Sequence, residues 1–230
     1  MPKMQVYRPW VRFARRCIAR FSHWRTIVCG GGTLPDAPAV DVVHHQNLYG
    51  PIHAVALLPI EAHLWVFHPF YDRKACFDQY YGYTFTQRFR WPRPLAWTAA
   101  RLLALVVPGV MHSIGAIPVY RSSRQILETM DLSRQALLAG ENIMLCPDTD
   151  YSSSADETGT IYQGFLRLER DYHRRTGRHL PFVPVVSIKG ERTVSVGAPI
   201  LFEDGRSFKE QQEEVAQRLI DSLNRGRALK

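Results

Sequence analysis

The residues best equipped for chemistry fall in three short blocks, each just past an apolar run. His44-His45-Gln46-Asn47-Leu48-Tyr49-Gly50-Pro51-Ile52-His53 follows Val40-Asp41-Val42-Val43. An imidazole that titrates near neutral pH is the natural general base, and two adjacent ones at a strand end offer a choice of base. Arg121-Ser122-Ser123-Arg124 follows Ile117-Pro118-Val119-Tyr120. A guanidinium beside the free N–H groups of a helix start makes a seat for an oxyanion or a phosphate. Pro147-Asp148-Thr149-Asp150-Tyr151 and three serines follow the run 142–146. Two carboxylates at alternate positions orient a histidine, bind a metal or cap a turn. Each block also has an ordinary reading, as a structural histidine, a solvated arginine or an Asp-x-Asp turn. Their recurrence after successive strands is what points to a shared site. His44, His45, His53 and the aspartates follow no metal-ligand spacing, so no metal is expected. The chain has no P-loop, G-x-G-x-x-G or G-x-S-x-G, which removes the usual nucleotide and serine-hydrolase routes.

The elements that must position these blocks alternate in type. Strands are expected at 40–43, 64–67, 117–120, 142–146, 181–187 and 192–196. Helices are expected near 48–58, 72–88, 95–107, 123–139, 161–176 and 207–225. Strands alternating with helices of this length predict an α/β fold with a central, largely parallel sheet flanked by helices. In such sheets ligands sit at the carboxyl ends of strands, where the three blocks lie. The chain has 230 residues, 46% of them hydrophobic and 22% charged, enough for one domain with a sizeable core. Cys17, Cys29, Cys76 and Cys146 are widely spaced, which argues against a disulfide framework and for a reducing compartment.

The net charge of +8 is concentrated. Residues 1–35 carry seven basic side chains and no acid, and residues 88–124 carry six arginines and no acid, leaving the rest net negative. Over 10–24, Trp10, Phe13, Ala14, Cys17, Ile18, Phe21 and Trp24 share one helical face, while Arg12, Arg16 and Arg20 step along another. Arginines beside interfacial aromatics suit an anionic lipid surface; the alternative is a helix docked on the domain. Nucleic acid is not expected, because it leaves the apolar face without a role. A second basic segment holds the apolar stretch 95–111, interrupted by Arg101 and Pro108. Its uninterrupted run is half the roughly 20 residues that a spanning helix needs, so it reads as a buried or interfacial helix. The organisation expected is a membrane-interface helix over 1–29, a Gly/Pro linker over 30–37 and a catalytic-type domain over 38–230, bound peripherally at a cytoplasmic membrane face.

Four blocks, in order, resemble the glycerolipid acyltransferase superfamily, typified by the 1-acylglycerol-3-phosphate acyltransferases. Val42-Val43-His44-His45-Gln46-Asn47-Leu48-Tyr49-Gly50 resembles the N-H-x-S-x-x-D block and sets His45 at the catalytic histidine and Asn47 at the Ser. Gly115-Ala116-Ile117-Pro118-Val119-Tyr120-Arg121 resembles the glycine-to-arginine block, with Arg121 as phosphate ligand. Met144-Leu145-Cys146-Pro147-Asp148-Thr149-Asp150-Tyr151-Ser152 resembles the strand followed by P-E-G-T-R-S. Phe182-Val183-Pro184-Val185-Val186 resembles the V-P-V block, and Gly164-Phe165 a glycine pair after the third block. The resemblance covers about 40–200. It implies transfer of a fatty acyl group from an acyl-CoA or acyl-carrier-protein thioester to a lysophospholipid-like acceptor, with no other cofactor.

Two departures qualify it. The motif Asp, which orients the histidine in the family, is Gly50 here, and the phosphate-contacting arginine of P-E-G-T-R is Tyr151. Two accounts follow. In one, Asp148 or Asp150 supports His45 in catalysis while Arg121, Asn47, Gly115, Thr149, Tyr151 and Gly164 shape the acceptor site. In the other, the fold persists as a catalytically inactive protein that binds lipid or a partner.

Overall fold

In the computed structural model, the described residues are 6–28, 34–35, 38–120, 124–150, 157–189 and 191–226. They fall into two compact units, one formed by Met1–His63 with Ser133–Lys230 and the other by Leu64–Leu132. The architecture is α/β, with a mixed, mostly parallel sheet flanked by helices.

In the first unit, β2 (Val40–Val43) lies between β5 (Asn142–Leu145) and β6 (Phe182–Ile188), parallel to both. β7 (Thr193–Val196) returns antiparallel to β6, and β1 (Arg25–Val28) adds in parallel at its far edge. All four residues of β2, of β5 and of β7 are buried, as strands covered on both faces require. Asn142 ties β5 to the chain entering β2 by accepting the Ala39 N–H at 3.0 Å. Around this sheet stand α1 (Pro9–Phe21), α2 (Tyr49–Leu57), α6 (Arg167–Thr176) and α7 (Phe208–Arg225), while α5 (Ile126–Leu138) precedes β5 in the chain. α7 opens on a capping box, Ser207 and Glu210 each bonding the other's backbone N–H.

The expected strands are present to within two residues; the helix expected over 161–176 is a 3-10 turn, Gln163–Leu166, followed by α6, and three larger differences stand out. The helix expected over 10–24 ends at Phe21, and Arg25–Val28 is a strand of the sheet. This strand is short and begins Arg-Thr, both exposed, so periodicity does not announce it. The helix expected over 72–88 is α3 (Arg73–Gln79) followed by nine π-helical residues, Tyr80–Arg88. Stacking of Phe85 on Trp91 and on Tyr80, with centroids at 4.6 and 5.6 Å, accompanies the wider turn. The third concerns α4 (Arg93–Ser113), which runs through Pro108 without a break. Proline removes one backbone hydrogen bond, and Pro108 continues the buried stripe of Ala96, Ala100 and Ala104. α4 is long and apolar enough to cross a membrane by length and composition. β3 (Ala62–Phe67), whose residues from Leu64 onward belong to the second unit, pairs there in parallel with β4 (Ile117–Val119) through Trp65↔Ile117 and Phe67↔Val119.

α1 is amphipathic, yet its apolar face is not the one it buries. Val11 is its buried residue, whereas Trp10, Phe13, Ile18 and Phe21 are exposed. Arg15 turns inward, donating to the Leu58 and Ile60 carbonyls, its guanidinium lying over the Tyr7 ring. Tyr7, fully buried, donates its N–H to Glu61 at 2.9 Å. The segment is thus fastened by its polar side.

Candidate active site

Because β2 and β5 are adjacent and parallel, their carboxyl ends open on the same side of the sheet. The first residue past β2 is His44, and Asp148 follows β5 after Cys146-Pro147. There the two meet. His44 Nδ1 lies 2.6 Å from Asp148 Oδ1, and Asp148 Oδ2 accepts the His45 backbone N–H at 2.9 Å. The two side chains are 5% and 7% exposed. A carboxylate at Nδ1 holds the proton there and leaves the lone pair on Nε2, the tautomer a general base needs. Asp148 is itself held by an antiparallel bridge to Ile161, by Tyr162 N–H donating to the Pro147 carbonyl at 2.7 Å, and by the Thr149–Thr160 hydroxyl pair at 2.6 Å.

The loop after His44 is tightly wound. Gln46, Asn47 and Leu48 have φ of 46°, 51° and 72°, three consecutive non-glycine residues in the left-handed region. That conformation costs roughly 1–2 kcal/mol per residue, so the surrounding contacts must hold it. Tyr49 N–H closes the turn on the Gln46 carbonyl and Gly50 N–H on that of His45, at 3.2 and 3.1 Å. The backbone at Gly50 passes so close to His44 that a Cβ there would stand 1.8 Å from the His44 carbonyl oxygen. A carboxylate cannot occupy position 50 in this loop. Glycine at position 50 and the close turn are one feature.

The other expected site residues distribute unevenly. His45 is partly buried, its Nδ1 3.4 Å from the Leu48 N–H, while the Asp148 carboxylate serves the His44 ring and the His45 backbone. Asp150 and Asn47 are exposed. Thr149 flanks Asp148 as described. Gly164 sits under the Tyr162 ring, within the 3-10 turn Gln163–Leu166 whose Phe165 is buried. Gly115, in the second unit, has φ of 59° and ends α4, a turn role that glycine satisfies without strain. Arg121 and Tyr151 lie outside the described residues. His53 packs between Trp24 and Tyr49, with centroids at 4.2 and 4.1 Å, in an aromatic stack on α2.

His44 is the residue that motif alignment passes over. The signal for it was the doublet itself, since either imidazole follows the strand and only the stagger between β2 and β5 decides which meets Asp148. Cys146 adds no nucleophile: burial, and then the Asp148 charge, push its thiol well above the usual range, so it stays protonated at neutral pH.

No protein-family model matches the chain, and no curated protein matches it. Among solved structures, it is similar to the 1-acyl-sn-glycerophosphate (LPA) acyltransferase PlsC from Thermotoga maritima. The TM-score is 0.54 at 13% identity, covering 94% of this chain and 78% of that one. At that identity the likeness establishes a shared fold.

Proposed function

We propose that the protein is a membrane-associated acyltransferase that moves a fatty acyl group from a CoA or carrier-protein thioester to the hydroxyl of a lysophospholipid-like acceptor. The observation that carries this reading is the His44–Asp148 pair, 2.6 Å apart at the ends of adjacent strands. Likeness of fold to an LPA acyltransferase supports it. His44 Nε2 takes the acceptor's hydroxyl proton as the oxygen attacks the thioester carbonyl. The carbon–sulfur bond then breaks, and the leaving thiolate takes the proton back from the imidazolium. Asp148 holds the imidazole tautomer and stabilises its cation, and through the His45 N–H it also steadies the loop. Arg121 would bind the acceptor phosphate, as the motif resemblance implies. Exposed Trp10, Phe13 and Phe21 of α1, with exposed Arg16 and Arg20 beside them, support docking on an anionic leaflet.

A second reading, a catalytically inactive lipid-binding protein, is favoured by the depth of His44, which is 4% exposed. One assay separates them: purified protein with anionic vesicles, acyl-CoA or acyl-carrier protein, and lysophosphatidate. Turnover is expected, with His44→Ala and Asp148→Asn each reducing it about a thousandfold or more and His45→Ala reducing it less. Loss confined to His45→Ala would return the base to His45. Vesicle binding without turnover across a panel of acceptors would establish the inactive reading.

A further inference from the structure

Away from the strand ends, a second cluster of ligating side chains gathers where α6 ends. Glu169 and His173 stand four residues apart, on one face of that helix. The helix stops at Gly177, and the chain turns back to bring His179 against them. The ligand atoms of Glu169, His173 and His179 lie within 4.8 Å of one another. Asp204, from the loop before α7, completes the group. Its Oδ1 is 3.1 Å from His179 Nε2 and 4.0 Å from His173 Nε2. In a tetrahedral site with bonds of about 2.0–2.1 Å, ligand atoms stand roughly 3.3 Å apart, close to these separations.

The side chains divide into two shells. Glu169 is 2% exposed and both its oxygens are engaged, one with His179 Nδ1 at 2.6 Å and the other with the Leu180 N–H at 2.6 Å. A carboxylate on Nδ1 orients the ring and turns Nε2 toward the metal, the outer-shell arrangement that metal-binding histidines use. The His173 and His179 rings are stacked, 4.3 Å apart and 10° from parallel, so binding one ion between them requires the partly exposed His173 ring to reorient. The loop carrying Asp204 is pre-formed. Gln211 donates to the Glu203 and Arg206 carbonyls at 3.0 and 3.1 Å and accepts the Glu203 N–H at 2.7 Å. A cavity of about 350 Å³, also lined by Phe202 and Phe208, adjoins the cluster. Nearby arginines do not claim its carboxylates: Arg174 pairs with Asp171, and Arg206 with Glu203 and Glu214.

We infer that His173, His179 and Asp204 form a binding site for a zinc-type divalent ion, with Glu169 as the outer-shell carboxylate and a fourth position open to the cavity. Two imidazoles and one carboxylate select a borderline-soft ion over magnesium or calcium, which prefer all-oxygen shells. The ion would clip the end of α6 to the loop that precedes α7.

The test uses the whole protein after chelation and dialysis, titrated with Zn²⁺ by calorimetry and with Co²⁺ by visible absorption. One equivalent is expected to bind, with the intense bands of a four-coordinate Co²⁺ site. Zn²⁺ at a hundredfold excess over its Kd should raise the melting temperature by about 5–10 °C. His173→Ala and Asp204→Asn, changes at a partly exposed and an exposed side chain, should abolish the bands while the protein still melts cooperatively. Glu169→Gln should weaken affinity about 10- to 100-fold. Absence of Zn²⁺ binding, or binding indifferent to His173→Ala and Asp204→Asn, would overturn the assignment. The acyltransfer assay does not bear on this outcome.

Discussion

The His44 carbonyl, not its imidazole, decides what position 50 can hold. A Cβ at 50 meets that oxygen at 1.8 Å, and the left-handed run from Gln46 to Leu48 leaves the backbone little room to retreat. Gly50→Asp, the change that would introduce the acid of the motif this block resembles, is therefore expected to destabilise the protein by roughly 3 kcal/mol and not to raise turnover. Gly50→Ala should cost as much, because the clash lies in the Cβ that both carry. Thermal melts of the two variants beside turnover make the test. An Asp variant as stable as the parent and more active would show that the loop relaxes, and the packing argument would fail. This residue also shows why only part of the site was legible. Block order and the strand ends were readable from local pattern, so Asp148 emerged as a candidate. The partner of Asp148 was not readable, because it depends on the stagger of two strands whose residues 44 and 148 are 104 positions apart.

At the scale of elements, helices and buried strands were legible because their apolar periods are strong, as over 40–43 and 208–225. β1 and the π-helical stretch Tyr80–Arg88 were not, since edge pairing and aromatic stacking decide them. Amphipathicity was legible in α1, but not the face that would be buried. The sequence allowed either a docked or a lipid-facing apolar stripe, and Arg15 with Tyr7 fastens the opposite side. Trp10, Phe13, Ile18 and Phe21 are consequently exposed, at 52, 63, 43 and 74%. Replacing Trp10, Phe13 and Phe21 by Ser should weaken binding to anionic vesicles at least tenfold and leave the melting temperature nearly unchanged, since these rings contribute little to the core. Co-sedimentation against vesicles of graded anionic content measures it. Undiminished binding, or a large fall in stability, would mean that the face packs on protein.

The stability of the whole molecule carries a titration at its centre. Asp41 lies in the middle of β2, between β5 and β6, and is 1% exposed. Its Oδ2 has no hydrogen-bond partner among the described residues. Burial alone pushes its carboxyl up to about 7 from 3.8. The sign follows from the proton count. Between pH 3.8 and about 7 the unfolded chain has released this proton and the folded chain has kept it. Stability therefore falls as pH rises through that window, and the penalty is constant above it. The full span corresponds to roughly 4 kcal/mol, taking about 1.4 kcal/mol per pH unit. Asp41→Asn removes the ionisable group and keeps its size. The variant should match the parent near pH 4 and then melt at progressively higher temperature than it does, the gap reaching about 10 °C by pH 7–8. Comparing variant with parent cancels every other pH dependence, since the two proteins differ only at position 41. Calorimetric melts across pH 4–8 give the curve. A gap that does not change with pH would mean that the carboxyl at the centre of the sheet titrates alike in the folded and unfolded chains.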